Sequence, residues 1–117
     1  KLEICLPHAG GALSSIIGRM THAWNIMPHL REKIPDRSPS DYLKRFYYDT
    51  ITHDGPLLAY LIEQVGADRV MLGSDFCFGM GYDHPIEVVT EHPAIDEAAQ
   101  AQILGGNARR LLRLSQI

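Results

Sequence analysis

The stretch Val70-Met71-Leu72-Gly73-Ser74-Asp75-Phe76 decides the fold of this chain. Its first three residues are apolar, which is typical of a short strand buried on both faces. The glycine and the carboxylate that follow indicate that the strand ends at a loop, and Phe78-Gly79-Met80-Gly81 continues that loop. The pattern therefore predicts a buried strand whose carboxyl end presents Asp75.

A second segment near the N-terminus has the same form. Ile4-Cys5-Leu6 leads into Pro7-His8-Ala9-Gly10-Gly11, so an apolar run again ends in a polar side chain and glycines. In parallel α/β folds, functional side chains collect at the carboxyl ends of the strands. We therefore expect His8 and Asp75 to open onto the same end of one sheet, as a metal-dependent or acid–base site requires.

The rest of the chain alternates between strand and helix patterns. Strands are predicted at residues 2–6, 46–50 and 69–72, and helices at residues 12–27, 38–44, 54–66, 84–91 and 96–104 and from residue 107 onward. Residues 28–35 are predicted as a loop or a weak helical turn, and Gly105-Gly106-Asn107 as a break capped by Asn107. This alternation indicates right-handed βαβ units and a parallel sheet.

The size of the chain limits what this sheet can be. A closed (β/α)8 barrel needs about 250 residues, so the strand pattern fits the last three-eighths of such a barrel, or a small open α/β layer. The chain begins with Lys1 rather than methionine and enters a strand within a few residues. We therefore expect a piece of a longer protein.

Composition excludes several classes of partner. The chain has 117 residues, is 45% hydrophobic and 21% charged, and carries a formal net charge of −3. The chain has no run of Lys and Arg of the kind that binds nucleic acid or an anionic membrane. It also has no apolar run that approaches the roughly 20 residues needed to span a bilayer. Cys5 and Cys77 are predicted as reduced thiols of a cytoplasmic protein rather than a disulfide.

The residues alone leave two interpretations open for each candidate side chain. Asp75 could be a metal ligand or a proton-transfer group, or it could accept hydrogen bonds from loop amides in a glycine-rich turn. His8 could be catalytic, although a single histidine is more often a structural hydrogen-bonding group. Gly10 and Gly11 favour function because they let the backbone approach a ligand closely.

Other polar residues carry weaker signals. Arg19 and His22 lie one turn apart on a predicted helix and could form a positive patch for a carboxylate, or simply a solvated face. Asp49 ends the aromatic strand and could line the same mouth as His8 and Asp75. No role is assigned to the remaining histidines, which are His29, His53, His84 and His92. The apolar stripe of the first helix is predicted as core.

Several short segments occur in a fixed order, at residues 7–11, 17–22, 46–50, 66–70, 73–76 and 105–108. Together they resemble the C-terminal part of the amidohydrolase-related (amidohydrolase 2) family, of the aminocarboxymuconate-semialdehyde decarboxylase-like kind. Each segment alone is weak, but their order and spacing are specific for the family and less so for the substrate. The resemblance covers nearly the whole chain.

This resemblance implies a metal-dependent (β/α)8 TIM barrel. Residues 1–117 would form the C-terminal part of one barrel domain, about strands six to eight and the following helices, with the N-terminal strands absent. The family holds a divalent metal, usually zinc, with a His-x-His pair on the first strand, a histidine on the fifth and an aspartate on the eighth. Asp75 matches that aspartate, and no His-x-His pair occurs in this chain.

The resemblance also implies roles for two other residues. His8 matches a histidine that accepts a proton from water at the metal, so His8 and Asp75 are the expected catalytic residues. Arg19 matches an arginine that binds a substrate carboxylate across a dimer interface. Phe76-Cys77-Phe78 stands where relatives often have Tyr-Pro-Phe, which is a departure close to the metal ligand.

We therefore expect a metal-dependent lyase that decarboxylates a small carboxylic acid without oxidation. The complete enzyme is expected to be a homodimer, and this chain alone is expected to be inactive. One alternative is a metal-dependent hydrolase of the same superfamily. A second alternative is a non-enzymatic α/β binding domain, which requires that residues 1–117 form the natural protein.

Overall fold

A parallel sheet forms the centre of the computed structural model, which describes residues 2–33 and 37–114. Its strands, in the spatial order β1-β2-β3, are β1 (Cys5–Leu6), β2 (Tyr47–Asp49) and β3 (Val70–Met71). Leu6 pairs with Tyr48, and Tyr48 pairs with Val70 on its other side. Because neighbouring strands run in the same direction, their carboxyl ends meet at one edge of the sheet.

Helices connect these strands, as parallel pairing requires. Between β1 and β2 lie α1 (Leu13–Ile26), α2 (Pro28–Lys33) and α3 (Pro39–Leu43), and between β2 and β3 lies α4 (Gly55–Val65). Three further helices follow β3, and they are α5 (Glu87–Thr90), α6 (Glu97–Ala101) and α7 (Asn107–Leu111). The predicted α/β class with a parallel sheet is confirmed. Within the described residues, no helix has the length and apolar character needed to cross a bilayer.

Local signals fix several helix boundaries as the sequence predicts. The Ser38 backbone N–H donates to Asp41 Oδ2 at 3.1 Å at the start of α3. Asp54 begins α4 by accepting from the Leu57 N–H at 2.7 Å. Gly66 ends α4 with a φ of 92°, which a residue with a side chain rarely adopts.

Two segments differ from the prediction. Pro28–Lys33 is a helix rather than a loop or weak turn, because proline fits the first helical position; residues 34–36 of the predicted segment lie outside the described residues. The predicted break at residues 105–107 is also wrong, because a π-helical turn, Gln102–Gly106, joins α6 to α7. That turn is held by packing, since Ile103 is fully buried.

The core lies against β2 and β3. Its largest fully buried apolar side chains come from these strands, from α4 and from the C-terminal helices, and they are Tyr48, Leu58, Leu61, Val65, Val70, Val89 and Ile103. With the N-terminal strands of a barrel absent, Val70 would be expected at an open edge of the sheet, but it is fully buried. The C-terminal segment covers β3, with the Leu72 N–H donating to the Ile103 carbonyl at 2.9 Å.

The β1 side of the molecule is less covered. Leu2 and Ile4 are 81% and 40% exposed, as expected for apolar groups at an open edge. On α1, Ile17 is buried, but Ile16 and Met20 are 47% and 44% exposed. The prediction that the whole apolar stripe of this helix belongs to the core is therefore wrong.

The Asn107 side chain connects the C-terminal helices to the start of β3. It is fully buried, and its Nδ2 donates to the carbonyls of Ala67 and Val70 at 2.7 and 2.6 Å. Arg110 Nη2 donates to Asn107 Oδ1 at 3.0 Å. The residue was predicted to cap a helix, but its backbone is helical, with φ −69° and ψ −44°. Asn107 is therefore an internal connector rather than a cap.

We predict that Asn107→Ala lowers the free energy of unfolding by about 2 kcal/mol or more, because a buried acceptor left without a donor costs about 1–3 kcal/mol. Urea denaturation measures the change. Asn25→Ala, the same substitution at an exposed position of α1, is the matched control and is expected to change stability by less than about 0.5 kcal/mol. Equal stability of the two variants would contradict the connector role.

Candidate active site at the carboxyl ends of the strands

His8 lies in a left-handed turn directly after β1. The φ angles of His8 and Ala9 are 53° and 55°, values that side chains disfavour. Gly10 continues the turn with a φ of 75°, and its backbone lies so close to Tyr48 that a Cβ there would be 2.8 Å from the ring atom Cε1. A turn built this way needs support from outside its own segment.

Asp49, at the end of β2, supplies that support. Its Oδ2 accepts a hydrogen bond from the His8 N–H at 2.9 Å, and its Oδ1 accepts from the Ala9 N–H at 2.8 Å and the Ile51 N–H at 3.0 Å. The side chain is buried. Asp49 was expected to line the mouth of the site, but its carboxylate is instead committed to the backbone of the turn.

Thr50, the next residue, binds the loop that follows β3. Its buried hydroxyl accepts from the Gly73 N–H at 3.1 Å and donates to the Gly73 carbonyl at 3.4 Å. A Cβ on Gly73 would lie 2.9 Å from the Asp49 Cβ and 2.9 Å from Ile51 Cδ1. The glycine therefore lets β3 and its loop approach the end of β2.

The loop that carries Asp75 closes on itself. Tyr82 N–H donates to the Ser74 carbonyl at 2.8 Å, and Phe78 N–H donates to the Asp75 carbonyl at 3.0 Å. The Tyr82 hydroxyl accepts from the His53 N–H at 2.7 Å, and the two rings pack with their centroids 4.5 Å apart. These contacts tie the Asp75 loop to the loop that follows β2.

His8 and Asp75 line one groove, together with Phe78, Gly79 and Met80. The groove has a volume of about 420 Å³. The two residues therefore open onto the same end of the sheet, as their positions after β1 and β3 predict. The Phe78 and Met80 side chains make part of this lining apolar and offer a surface for the carbon skeleton of a ligand.

Neither the His8 ring nor the Asp75 carboxylate is bound by another part of the described chain. Within residues 2–33 and 37–114, no hydrogen bond or ion pair involves the His8 ring or the Asp75 carboxylate. The alternative in which the Asp75 carboxylate accepts hydrogen bonds from loop amides is not observed in the described residues. The nearby Phe76 N–H donates instead to the Ser74 hydroxyl at 3.2 Å. Both groups are thus available to a ligand, and their catalytic roles stay predictions.

An imidazole and a carboxylate are donors that suit zinc and manganese. The part of the chain that the structure describes contains no group of three His, Cys, Asp or Glu side chains placed to hold a metal ion. His8 and Asp75 therefore supply donor types that suit a metal ion, and a metal site at this groove stays a prediction.

Arg19 and His22 are not brought to this groove. Both are exposed on α1, and neither lines the space between His8 and Asp75. No ion pair or hydrogen bond of the Arg19 guanidinium occurs in the described ranges. A role for Arg19 in a site on the same chain is therefore not supported, and a role in another subunit's site stays a prediction.

A second groove, of about 550 Å³, contains His53 and His92. His92 Nδ1 accepts from the Ala94 N–H at 3.2 Å, so its Nε2 carries the proton and donates to the Gly55 carbonyl at 2.9 Å. His92 is thus a structural link from the C-terminal region to α4. No local sequence pattern predicts this contact, because its partner Gly55 is distant in the chain.

Two other titratable groups near the site are held in their protonated forms. Desolvation raises the pKa of the Cys5 thiol, and the Asp49 carboxylate raises it further. Burial raises the pKa of Tyr48 to about 12, and its hydroxyl donates to the Leu43 carbonyl at 2.9 Å. Neither group is therefore suited to proton transfer near neutral pH.

Comparison with known proteins shows the family to which the chain is similar. The family model Amidohydro_2, described as amidohydrolase, matches residues 1–114. The 2-amino-3-carboxymuconate-6-semialdehyde decarboxylase of Dictyostelium discoideum is 32% identical over 114 residues, which are 97% of this chain and 32% of that protein. The chain thus spans about a third of the length of the curated relatives it matches.

Solved structures of decarboxylases are also similar to this chain. The 5-carboxyvanillate decarboxylase of Sphingomonas paucimobilis superposes with a TM-score of 0.80 at 28% identity, over 97% of this chain and 34% of that one. A dihydroxybenzoic acid decarboxylase from Polaromonas, solved with bound manganese and the inhibitor 2-nitroresorcinol, gives 0.79 at 30% identity, over 99% and 35%.

We predict that Gly73→Ala destabilises the protein by about 1–3 kcal/mol, the usual cost of overpacking, because its Cβ would collide with Asp49 and Ile51. Gly79→Ala is the matched control, since a Cβ there meets nothing within 4 Å. Urea denaturation of the two variants gives the comparison. A Gly73 variant as stable as the Gly79 variant would show that close approach of β3 to Asp49 is not required.

Proposed function

Because this chain belongs to the amidohydrolase family, whose model matches residues 1–114, we propose that it is the C-terminal part of a metal-dependent decarboxylase. In this proposal the complete enzyme is a (β/α)8 barrel, β1, β2 and β3 are about its sixth to eighth strands, and residues 1–117 belong to one domain. The parallel strand order, and the match to about a third of each relative, support a part of such a barrel.

One observation carries the functional proposal. His8 and Asp75 line one groove, and neither side chain is used by another part of the described chain. A buried structural carboxylate would instead be satisfied by backbone N–H groups, as Asp49 is. An imidazole and a carboxylate that are free beside the apolar side chains of Phe78 and Met80 suit a small carboxylate substrate, which has to be bound and then protonated on carbon.

Asp75 would hold a divalent metal ion, and we propose zinc. The manganese in the related Polaromonas decarboxylase supports a divalent ion at such a site. When bound, the metal supplies a Lewis acid that polarises the substrate and makes water more acidic. The remaining ligands would come from the strands that precede β1 in the complete barrel.

The residues of this chain would handle the protons. In decarboxylation the bond between the carbon skeleton and the carboxylate breaks, carbon dioxide leaves, and the electron pair stays on the carbon atom. That carbon must then receive a proton. The His8 ring nitrogen would take up a proton from solvent water and pass it to an Asp75 carboxylate oxygen, which would deliver it to the carbon. In net terms, one solvent proton would replace the carbon dioxide that leaves. Phe78 and Met80, which line the same groove, would contact the carbon skeleton of the substrate.

Arg19 would bind the substrate carboxylate of a second subunit. It is exposed on α1, and Ile16, one turn before it on the same face of the helix, is also exposed. An exposed apolar side chain beside a guanidinium suits an interface across which the charge reaches a partner's site, and a guanidinium binds carboxylates with paired hydrogen bonds. We therefore propose a homodimer. The free thiols Cys5 and Cys77 fit a cytoplasmic enzyme.

We predict different outcomes for the two site residues in the complete enzyme. Asp75→Ala should abolish tight metal retention, because a catalytic metal site rarely tolerates the loss of a protein ligand. His8→Ala should retain the metal but lower turnover by about 10²–10⁴-fold, the usual contribution of a positioned base. Elemental analysis of the purified variants and the rate of carbon dioxide release measure the two effects.

The same experiment discriminates the alternatives. Equal metal loss in both variants would make His8 a ligand and contradict the division of roles. Product analysis of the wild-type enzyme identifies the reaction class, since hydrolysis consumes water and releases no carbon dioxide. A hydrolytic product would favour the hydrolase of the same superfamily, which uses the same pair of residues.

We predict that the isolated 117-residue chain self-associates and lacks decarboxylase activity. The outer edge of β1 has no strand beside it in the described chain, and Leu2 and Ile4 are exposed there. Open edges and apolar groups of this kind promote association. Sedimentation velocity with a parallel activity assay tests this, and an active monomer of 13.1 kDa would refute the proposal of an incomplete barrel.

A further inference from the structure

The carboxylate of Asp49 has a second consequence for the chemistry. We propose that Asp49 is the positioning residue of His8, which sets the direction of the imidazole by fixing the backbone from which it projects. The inference rests on the proposed function in one respect, that His8 is the base. It concerns a residue that touches neither the substrate nor the metal in that scheme.

The geometry of the carboxylate is directed at the His8 turn. Two of its three hydrogen bonds are long-range contacts, to the His8 and Ala9 N–H groups on the neighbouring strand's loop. The third goes to Ile51 in its own segment. A carboxylate that only ended its own strand would need the contact with Ile51 alone. Asp49 instead binds the two non-glycine residues of the turn that have positive φ angles.

In the described part of the chain, the position of the His8 ring depends on the backbone of its turn. A catalytic imidazole is commonly fixed by a hydrogen bond from its second nitrogen to a carboxylate or carbonyl. No such bond to the His8 ring occurs in the described residues. The φ and ψ angles of His8 set the direction of its Cα–Cβ bond, from which the ring projects, and the hydrogen bonds to Asp49 hold the backbone of this turn.

An asparagine at this position cannot reproduce the arrangement. Both carboxylate oxygens accept, whereas a side-chain amide has one accepting oxygen and one NH2 group that only donates. If the amide oxygen takes the Ala9 and Ile51 N–H groups, the NH2 group faces the His8 N–H. Asp49→Asn is nearly isosteric, so it removes the His8 contact while keeping the volume and two of the three hydrogen bonds.

The test compares Asp49→Asn with the wild type in the complete enzyme. The matched control is Asp96→Asn, the same change at a carboxylate that caps α6 by accepting from the Ala99 N–H. For Asp49→Asn we expect kcat to fall by about 10–10²-fold, the effect of a small misplacement of a reacting group. KM and metal content should stay unchanged, and hydrogen exchange of the 7–10 segment should accelerate. The control should match the wild type in all four.

A direct readout of the His8 ring accompanies the kinetics. Its imidazole Cε1–H signal is assigned by its loss in His8→Ala, and in Asp49→Asn it should shift and broaden, with no change in Asp96→Asn. An unchanged His8 signal, or unchanged kcat with faster exchange, would overturn the positioning role. If the wild type releases no carbon dioxide and the His8 signal still moves in Asp49→Asn, the proposed function fails while the positioning of His8 by Asp49 stands.

Discussion

The end of β2 is the constraint on which the candidate site depends. Asp49 and Thr50 are adjacent, and each holds one neighbouring loop: the carboxylate binds the His8 turn, and the hydroxyl binds Gly73 in front of Asp75. The left-handed turn cannot satisfy these N–H groups by itself. Asp49 and Thr50, at the end of the central strand, thus bring together His8 and Asp75, which are far apart in the sequence.

Much of the fold could be predicted from local sequence, because the physical causes are local. A proline at the start of α3, the Asp54 cap and Gly66 at the end of α4 each act within one helical turn. The positions of His8 and Asp75 after apolar strands also follow from local pattern, and a parallel sheet then places them at the same edge. The groove that they share agrees with that reasoning.

The errors arise where a distant contact overrides the local signal. Asn107 follows two glycines and resembles a cap, but its amide is used by carbonyls at the start of β3. The same holds for Asp49, whose partners His8 and Ala9 lie on another strand's loop. The α1 stripe was misassigned for another reason, since periodicity shows that a face is apolar and not what covers it. Its exposed residues fit an interface of the proposed homodimer.

Asp75 and His8 are proposed to belong to one metal-dependent site. Anomalous diffraction from a crystal of the complete enzyme, recorded at the absorption edge of the bound metal, locates the ion. A peak is expected about 2.0–2.2 Å from an Asp75 carboxylate oxygen, the usual distance for zinc, in the groove that His8 lines. A metal peak remote from Asp75, for example beside His53 and His92, would contradict it.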